Sequence, residues 1–346
     1  MQNYSLFSVL KIIGFLMFFM FCQQKKEESL IDTFSKVSLV SLASTYSKCQ
    51  ITSANNTDYF VSGNIPDGGS TAVNRISSQS DNTSIEIYYP TGSSVSLPIL
   101  VLFQGGNVHS SFYSKYAARL ASSGYVVYVG NRCDVFIVQY FLYPAVSLGN
   151  KVLALAKTQS TDSTSPLFGR IDTSKIGFLG HSLGGVVGLY AMNKICEFPF
   201  CNSDYAFLSE VKAGVFYGSG LGGSFSQSKF YIGSNGKGTP TGYIQGSVDG
   251  ANKPATGLAS YTNAIATKAY FSVDGSNHYG ITDVNNPFGA NVESSTGTLS
   301  QTNAISKIAE SSLIFLDAYV KSDTTALNKI INSTSGITNV TVTGQQ

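Results

Sequence analysis

A serine between two glycines is the strongest chemical pattern in the sequence. Residues 180–184, Gly-His-Ser-Leu-Gly, follow the apolar run 176–179 and precede a stretch of small apolar residues. This order predicts a strand, a sharp turn and a helix, with Ser182 on the turn. A side chain at either glycine would collide with the neighbouring strand or helix. The pattern therefore predicts a hydroxyl at the N-terminal end of a helix, placed to act as a nucleophile.

The hydroxyl of Ser182 needs a base, and the chain has three histidines. His181 adjoins Ser182, so its side chain is expected to point away from the hydroxyl. His109 lies in the loop after the first buried strand, and His278 lies just past the last one. An open α/β sheet places its active site at the C-terminal ends of its strands. His278 is therefore predicted as the base, and the alternative is an ordinary surface-loop histidine.

A carboxylate is needed to hold the tautomer of the base and to stabilise its imidazolium form. Asp249 follows the predicted strand 241–245 and precedes His278, which gives the chain order Ser, Asp, His. Asp274 is the closest rival, but it lies on the same strand end as His278. Asp283 follows the histidine and would break the order.

Two N–H donors are needed to hold the oxyanion of a tetrahedral intermediate. The N–H of Leu183, directly after the serine, is predicted as one donor. The loop after the buried strand 97–103 is expected to supply the other. Gly106 is the choice in that loop, with Asn107 as the alternative.

An aromatic-rich insertion, residues 134–143, offers apolar contacts for a substrate. Its aromatic side chains are expected to line an acyl or aromatic pocket, or else to pack the insertion into the core. These side chains are Phe136, Tyr140, Phe141 and Tyr143.

Strands and helices are predicted to alternate along the chain. Apolar runs and alternating patterns predict strands at 84–90, 97–103, 125–129, 175–179, 211–217, 241–245 and 268–273. Helical spacing predicts helices at 111–123, 145–157 and 305–320. Together they predict an α/β fold with a mostly parallel central sheet and helices on both faces.

Composition bounds the partners of the chain. Charged residues are only 12% of the 346, and the net charge is +2. A nucleic-acid partner is therefore not expected. The cysteines and histidines lack the spacing of a metal site, and serine, histidine and aspartate chemistry needs no metal and no organic cofactor.

The N-terminus predicts export. Residues 1–22 combine Lys11 with the short apolar run 12–22, which fits a signal peptide better than a membrane span. Cys22 at the junction resembles the lipidation site of bacterial lipoproteins, although Phe21 stands where a small residue is usual. Lipid attachment to a membrane through Cys22, plain secretion and an uncleaved anchor all remain open.

Four other cysteines allow two disulfides in an exported chain: Cys49, Cys133, Cys196 and Cys201. Cys196 and Cys201 are close in sequence and form the favoured pair. The alternative is four free buried thiols.

The predicted domain layout has four parts. Residues 1–22 are the export signal, and residues 23–82 are an N-terminal extension of unknown role. Residues 83–325 form the catalytic domain, and residues 326–346 form a polar C-terminal tail.

Residues 85–320 resemble the α/β-hydrolase superfamily. Within it the chain is similar to the branch of chlorophyllase, platelet-activating-factor acetylhydrolase and the cutinase-like polyester hydrolases. The resemblance rests on the pieces 87–90, 105–106, 124–127, 180–185, 246–249 and 277–278. One departure is the pair Gln104-Gly105, where many relatives have His-Gly.

The resemblance and the residues together imply an exported serine hydrolase. It is expected to cleave small or polymeric carboxylic esters of short-to-medium acyl length through an acyl-enzyme on Ser182. The alternative is a surface binding protein that keeps the hydrolase fold without turnover. The departure at Gln104 favours this alternative, and the complete set of serine, aspartate and histidine argues against it.

Overall fold

The computed structural model of the protein describes residues 49, 53–56, 58–64, 71–80, 83–93, 95–136, 139–222 and 226–346. All of them lie in the compact unit 45–346. The predicted export signal, Cys22 and most of the N-terminal extension lie outside the described residues. None of the described helices is long and apolar enough to cross a membrane.

Ten strands and six α-helices are found in this part of the chain. The strands are β1 (Val73–Ser80), β2 (Thr83–Pro90), β3 (Leu97–Phe103), β4 (Val126–Phe136), β5 (Gln139–Leu142), β6 (Ile171–His181), β7 (Val211–Tyr217), β8 (Thr241–Gly246), β9 (Lys268–Val273) and β10 (Val340–Gln345). The helices are α1 (Ser114–Ser122), α2 (Leu148–Thr161), α3 (Leu183–Met192), α4 (Pro254–Asn263), α5 (Gln301–Tyr319) and α6 (Thr324–Ile331).

The strands form one mixed sheet in the order β1-β2-β4-β3-β6-β7-β8-β9-β10, with β5 paired to β4. The six strands from β4 to β9 in this order are parallel, and the edges are antiparallel. Parallel neighbours place their C-terminal ends at the same edge of the sheet, where the loops that bear Ser182, Asp249 and His278 begin.

Helices cover both faces of the sheet, as the alternation of strands and helices predicts. Along β3, Leu100 and Leu102 pack with α1 and α5 on one face. Ile99, Val101 and Phe103 pack with α2 and α3 on the other. Every residue of β3 is buried, which explains why its sequence is a continuous apolar run.

The C-terminal end corrects the predicted domain layout. Residues 326–346 were expected to be a polar tail, but α6 extends to Ile331 and β10 pairs antiparallel with β9. Val340 and Val342 are buried, and the threonines between them are exposed. This alternation is typical of an edge strand with one face on the core.

The N-terminal extension also contributes to the domain. β1 lies before the expected domain start at residue 83, yet it pairs with β2 along its whole length. Further upstream, the Asn56 amide donates to the carbonyl of Ser111 and to the Asp283 carboxylate, at 2.9 and 2.7 Å. A disulfide joins Cys49 to Cys133 on β4. Part of the extension is therefore fastened to the sheet.

The second disulfide confirms the pair predicted from sequence. Cys196 and Cys201 are bonded, with their Cα atoms 4.7 Å apart. The two bonds use all four of the cysteines that follow Cys22.

Candidate active site

The turn after β6 carries Ser182. Its backbone angles are φ 52° and ψ −122°, in a region that residues other than glycine seldom adopt. The Ser182 N–H donates to the carbonyl of Tyr217 at the end of β7, at 3.0 Å. Helix α3 begins with the next residue, so the serine is half-buried at the positive end of a helix.

Close backbone contacts explain the glycine two residues after the serine. A Cβ on Gly184 would lie 2.1 Å from the carbonyl oxygen of Phe103 and 2.4 Å from that of Gln104. Both atoms belong to backbone, so neither can move aside cheaply. Glycine here lets α3 pack directly against the end of β3.

The loops after β8 and β9 bring Asp249 and His278 together. His278 Nδ1 lies 2.9 Å from Asp249 Oδ2, and both side chains are buried, with 5% and 0% of their surface exposed. The carboxylate can only accept, so Nδ1 carries the proton and Nε2 keeps a free lone pair. This tautomer is the one that a general base requires.

The Asp249 carboxylate is held in place by further donors. Its Oδ2 accepts from the Gln245 side-chain amide at 3.0 Å, and its Oδ1 accepts from the N–H of Asn252 at 2.7 Å. The rival, Asp274, is exposed, and its carboxylate accepts from the hydroxyl of Ser247. The structure therefore brings Asp249 rather than Asp274 to His278.

The turn after β3 faces the start of α3. A Cβ on Gly106 would lie 3.4 Å from the Leu183 side chain, so these two predicted oxyanion donors are neighbours. Leu183 is the first residue of α3, and its N–H has no acceptor within the helix. The N–H of the alternative donor, Asn107, instead donates to the carbonyl of Leu142 at 2.8 Å.

His181 joins the turn after β3 to the loop after β9, which bears His278, through a chain of hydrogen bonds. Its Nε2 lies 2.9 Å from the carbonyl oxygen of His278, so Nε2 donates. Its Nδ1 then accepts from the hydroxyl of Tyr113 at 2.9 Å. The Tyr113 oxygen in turn accepts from the N–H of Gly105 at 2.8 Å.

Burial keeps this chain neutral. His181 is completely buried, and its pKa is held well below its usual value, first by burial and then by the neighbouring His278. Burial also raises the pKa of Tyr113 well above its ordinary range. The bonded hydrogens of the two side chains therefore stay in place across the pH range in which a neutral histidine base works.

His109 and Asp283 serve the fold rather than this cluster. His109 Nδ1 accepts from the N–H of Ser111 at 3.1 Å, and burial lowers the pKa of the ring to about 4. The Asp283 carboxylate accepts from the N–H groups of Ser114 and Lys115 at the start of α1, at 3.2 and 2.9 Å.

The aromatic insertion forms a hairpin of β4 and β5. Tyr143 is buried, with Arg132 4.7 Å from its ring centre and Phe200 edge-on at 6.1 Å, so its side chain packs the hairpin instead of lining an open pocket. Tyr140 and Phe141 are half-buried. The side chain of Phe136 lies outside the described part of the chain.

A comparison with protein families matches the part of the chain that contains the turn after β3 and Ser182. Residues 64–197 match the family model described as PETase, PET hydrolase-like. The sequence of this segment is PET hydrolase-like. The match confirms, over these residues, the predicted resemblance to the cutinase-like polyester hydrolases. A search of the curated proteins found no match for the chain.

The PET hydrolase-like segment contains only part of the cluster. It includes the turn after β3, Tyr113 and Ser182, and it ends before Asp249 and His278. Gln245 and Glu293, which bond to Asp249 and to the N–H of His278, also follow the segment, whereas His181, which bonds to the carbonyl of His278, lies within it.

Three of the side chains around the cluster have no sequence motif: Tyr113, Gln245 and Glu293. Tyr113 lies in a predicted helix and resembles an ordinary core residue. Gln245 is the last residue of a predicted strand. Glu293 stands in a polar loop whose only relevant feature is its position after His278.

Proposed function

We propose that the protein is an exported hydrolase of carboxylic esters that works through an acyl-enzyme on Ser182. The observation that carries the proposal is the buried 2.9 Å contact between His278 and Asp249. The ring centroid of His278 lies 4.8 Å from that of His181, the residue directly before Ser182. Ser182 itself lies within the PET hydrolase-like segment. A buried imidazole with its Nε2 lone pair free is the group needed to activate a serine hydroxyl.

The reaction follows from the roles of these groups. His278 Nε2 takes the hydroxyl proton as Ser182 Oγ bonds to the acyl carbon, and the carbonyl oxygen becomes an oxyanion. The N–H groups of Gly106 and Leu183 stabilise that oxyanion. The imidazolium then returns its proton to the departing alcohol, which leaves an ester on Ser182.

Water completes the cycle by the same steps. His278 removes a proton from a water molecule as its oxygen bonds to the acyl carbon, and Ser182 departs with the proton that the imidazolium returns. Asp249 stays ionised throughout and stabilises the imidazolium. The products are a carboxylic acid and the free enzyme.

The substrate is proposed to be a small or polymeric ester with an acyl group of short-to-medium length. The half-buried Tyr140 and Phe141 lie on β5, whose last residue, Leu142, bonds to Asn107 beside the oxyanion turn. Aromatic side chains at this place would contact the acyl or aromatic part of an ester.

Export is supported by the two disulfides, because such bonds persist in oxidising compartments. Intact mass of the protein from its native host tests the finer proposal. A lipid-modified Cys22 would indicate anchoring, and a start nearby without lipid would indicate secretion. Retention of Met1 would contradict both forms of cleavage.

Turnover of nitrophenyl esters of increasing acyl length tests the proposed reaction. We expect kcat/KM to rise over the first few carbons and then to fall, with little cleavage of the matching anilides. Ser182→Ala should remove turnover while the melting temperature stays close to that of the wild type. A folded wild type without turnover on esters would favour the binding-protein alternative. A steady climb to long-chain esters with activation at an oil–water interface would indicate a lipase.

A further inference from the structure

One carboxylate bonds to both of the loops that carry Asp249 and His278. Glu293 lies in residues 284–298, called here the Glu293 loop, and only 6% of its surface is exposed. Its Oε2 accepts the N–H of His278 and the N–H of Gly250, each at 3.2 Å. Gly250 directly follows Asp249. The same oxygen therefore bonds to the backbone on both sides of the contact between His278 and Asp249.

Glu293 is itself held firmly. Its Oε1 accepts the N–H of Ser295 at 2.7 Å, and its own N–H donates to the side chain of Asn286 at 2.6 Å. The hydroxyl of Tyr279, next to His278, donates to the carbonyl of Asn291 at 2.5 Å. The first two bonds order the Glu293 loop internally, and the bond from Tyr279 joins it to the loop that bears His278.

Hydrogen bonds already account for the close spacing of the three side chains. Single oxygen or nitrogen atoms of Asp249, His278 and Glu293 lie within 4.8 Å of one another, a spacing that a metal site also shows. Here His278 bonds directly to Asp249, and the Glu293 oxygens accept three N–H groups. The three side chains are therefore held together by hydrogen bonds, and their spacing requires no metal ion.

The groups that surround the His278 ring differ in charge. His181 is neutral because burial lowers its pKa. Tyr217 and Tyr279 are neutral because burial raises the pKa of Tyr279 to about 12 and that of Tyr217 further still. Among the described residues around His278, the carboxylates of Asp249 and Glu293 remain as the charged groups.

We propose that Glu293 is a positioning residue for the ester hydrolysis inferred above. It holds the backbone of Asp249 and His278 in register, and its negative charge stabilises the imidazolium that forms during the reaction. This inference rests on the proposed function.

Glu293→Gln tests the inference, because it removes the charge and keeps the size of the side chain. We expect kcat on a nitrophenyl ester to fall about tenfold, the lower end of what a hydrogen bond to a charged group contributes, while KM stays within about twofold. The acidic limb of kcat/KM should move to lower pH, because protonation of the ring loses a favourable partner. The matched control is Glu310→Gln on α5, which should leave kcat, KM and the limb unchanged.

A second variant separates charge from placement. Glu293→Asp keeps the charge but withdraws it by one methylene from the two N–H groups. It should lower kcat and leave the acidic limb near its wild-type position. If both variants merely lower the melting temperature, with kcat and the limb unchanged in the folded fraction, Glu293 is a structural residue and the inference is overturned.

NMR of the His278 ring distinguishes failure of this inference from failure of the proposed function. The ring should titrate at lower pH in Glu293→Gln than in the wild type, whether or not the protein hydrolyses esters. Identical titrations would overturn the role of Glu293 even in an active enzyme. A shifted titration in a protein without esterase activity would keep the electrostatic role and contradict the proposed function instead.

Discussion

The PET hydrolase-like segment, residues 64–197, and the C-terminal segment, residues 198–346, position their parts of the site by different means. The turn at Ser182 is fixed by backbone: a constrained φ of 52°, a glycine whose Cβ would strike two backbone carbonyls, and the first turn of α3. Asp249 and His278 are fixed by side chains that include Gln245 on β8 and Glu293 in the Glu293 loop.

This difference explains which half of the site leaves a pattern in the sequence. A backbone turn requires glycine at fixed spacing, so it leaves a pattern in the sequence. A loop held by side-chain bonds needs only some donor or acceptor at the right place, and many sequences supply one. The nucleophile half of the site is therefore specified by neighbouring residues in the sequence, while the base half depends on residues that are distant in the sequence.

The largest expected effect tests the assignment in the C-terminal segment. Asp249→Asn should lower kcat by about 10⁴-fold, because the amide no longer holds the imidazole in its required tautomer. The matched control is Asp274→Asn, whose exposed side chain bonds to Ser247. Steady-state kinetics on one ester measures both. If Asp274→Asn were the more damaging change, the acid would be misassigned.

Asp283 of the C-terminal segment accepts the N–H groups of Ser114 and Lys115 in the PET hydrolase-like segment. Its side chain therefore couples the two segments. Burial raises its pKa from 3.8 to about 7, so the folded state binds the proton more tightly than the unfolded state. The stability contributed by this proton is complete below about pH 4 and is lost as pH rises through 7. The free energy of unfolding of the wild type, relative to Asp283→Asn, should therefore fall by up to about 4 kcal/mol between pH 4 and 7.

Urea unfolding of both proteins at several pH values measures this difference. Taking the difference between the two proteins removes the contributions of other groups, such as His109, whose lowered pKa acts in the opposite sense. If the difference in the free energy of unfolding between the two proteins stayed constant or grew with pH, the raised pKa of Asp283 would be contradicted.

The next effect tests the claim that backbone fixes the serine turn. Gly184→Ala should lower the free energy of unfolding by about 3 kcal/mol, because its Cβ would strike two carbonyl oxygens. Gly106→Ala, whose Cβ would make an ordinary contact with Leu183, should keep the free energy of unfolding close to that of the wild type. If Gly184→Ala and Gly106→Ala lost similar free energy of unfolding, close backbone contact would not be what fixes the turn at Ser182.

The smallest expected effect concerns a side-chain bond within the PET hydrolase-like segment. Tyr113→Phe leaves the N–H of Gly105 and Nδ1 of His181 without their partner, and we expect kcat to fall about tenfold, at the lower end of the cost of an unmade buried bond. Tyr116→Phe removes a buried hydroxyl that bonds to Ser312, away from the site, and should affect stability alone. Equal kcat in both variants would show that the chain of bonds through His181 does not support the turn after β3.

The central strand β3 was predictable because burial on both faces forces a continuous apolar sequence, and β7 and β9 because most of their residues are apolar. Leu97–Phe103, Val211–Tyr217 and Lys268–Val273 have the predicted limits. The edge strands β1 and β10 were missed because a strand with one solvated face is half polar. The alternation of valine and threonine in β10 is the signal that distinguishes this strand from a polar tail.

The candidate site was likewise predictable only in part. The turn of Ser182 has a local pattern, and chain order led to Asp249 and His278. Glu293 had no such pattern, because its contacts with His278 and Gly250 arise only when three loops meet. Tyr113 could not be predicted for a related reason. In the sequence it resembles any other core residue, and only the structure shows that its hydroxyl bonds to Gly105 and His181.

Labelling with a fluorophosphonate tests the central claim most directly, because the reagent forms a stable bond with an activated serine. We expect peptide mass spectrometry to locate one adduct, on Ser182, and the rate of labelling to fall steeply in Asp249→Asn but not in Asp274→Asn. No adduct on folded wild-type protein, an adduct on another serine, or labelling that persists in Ser182→Ala would contradict the account.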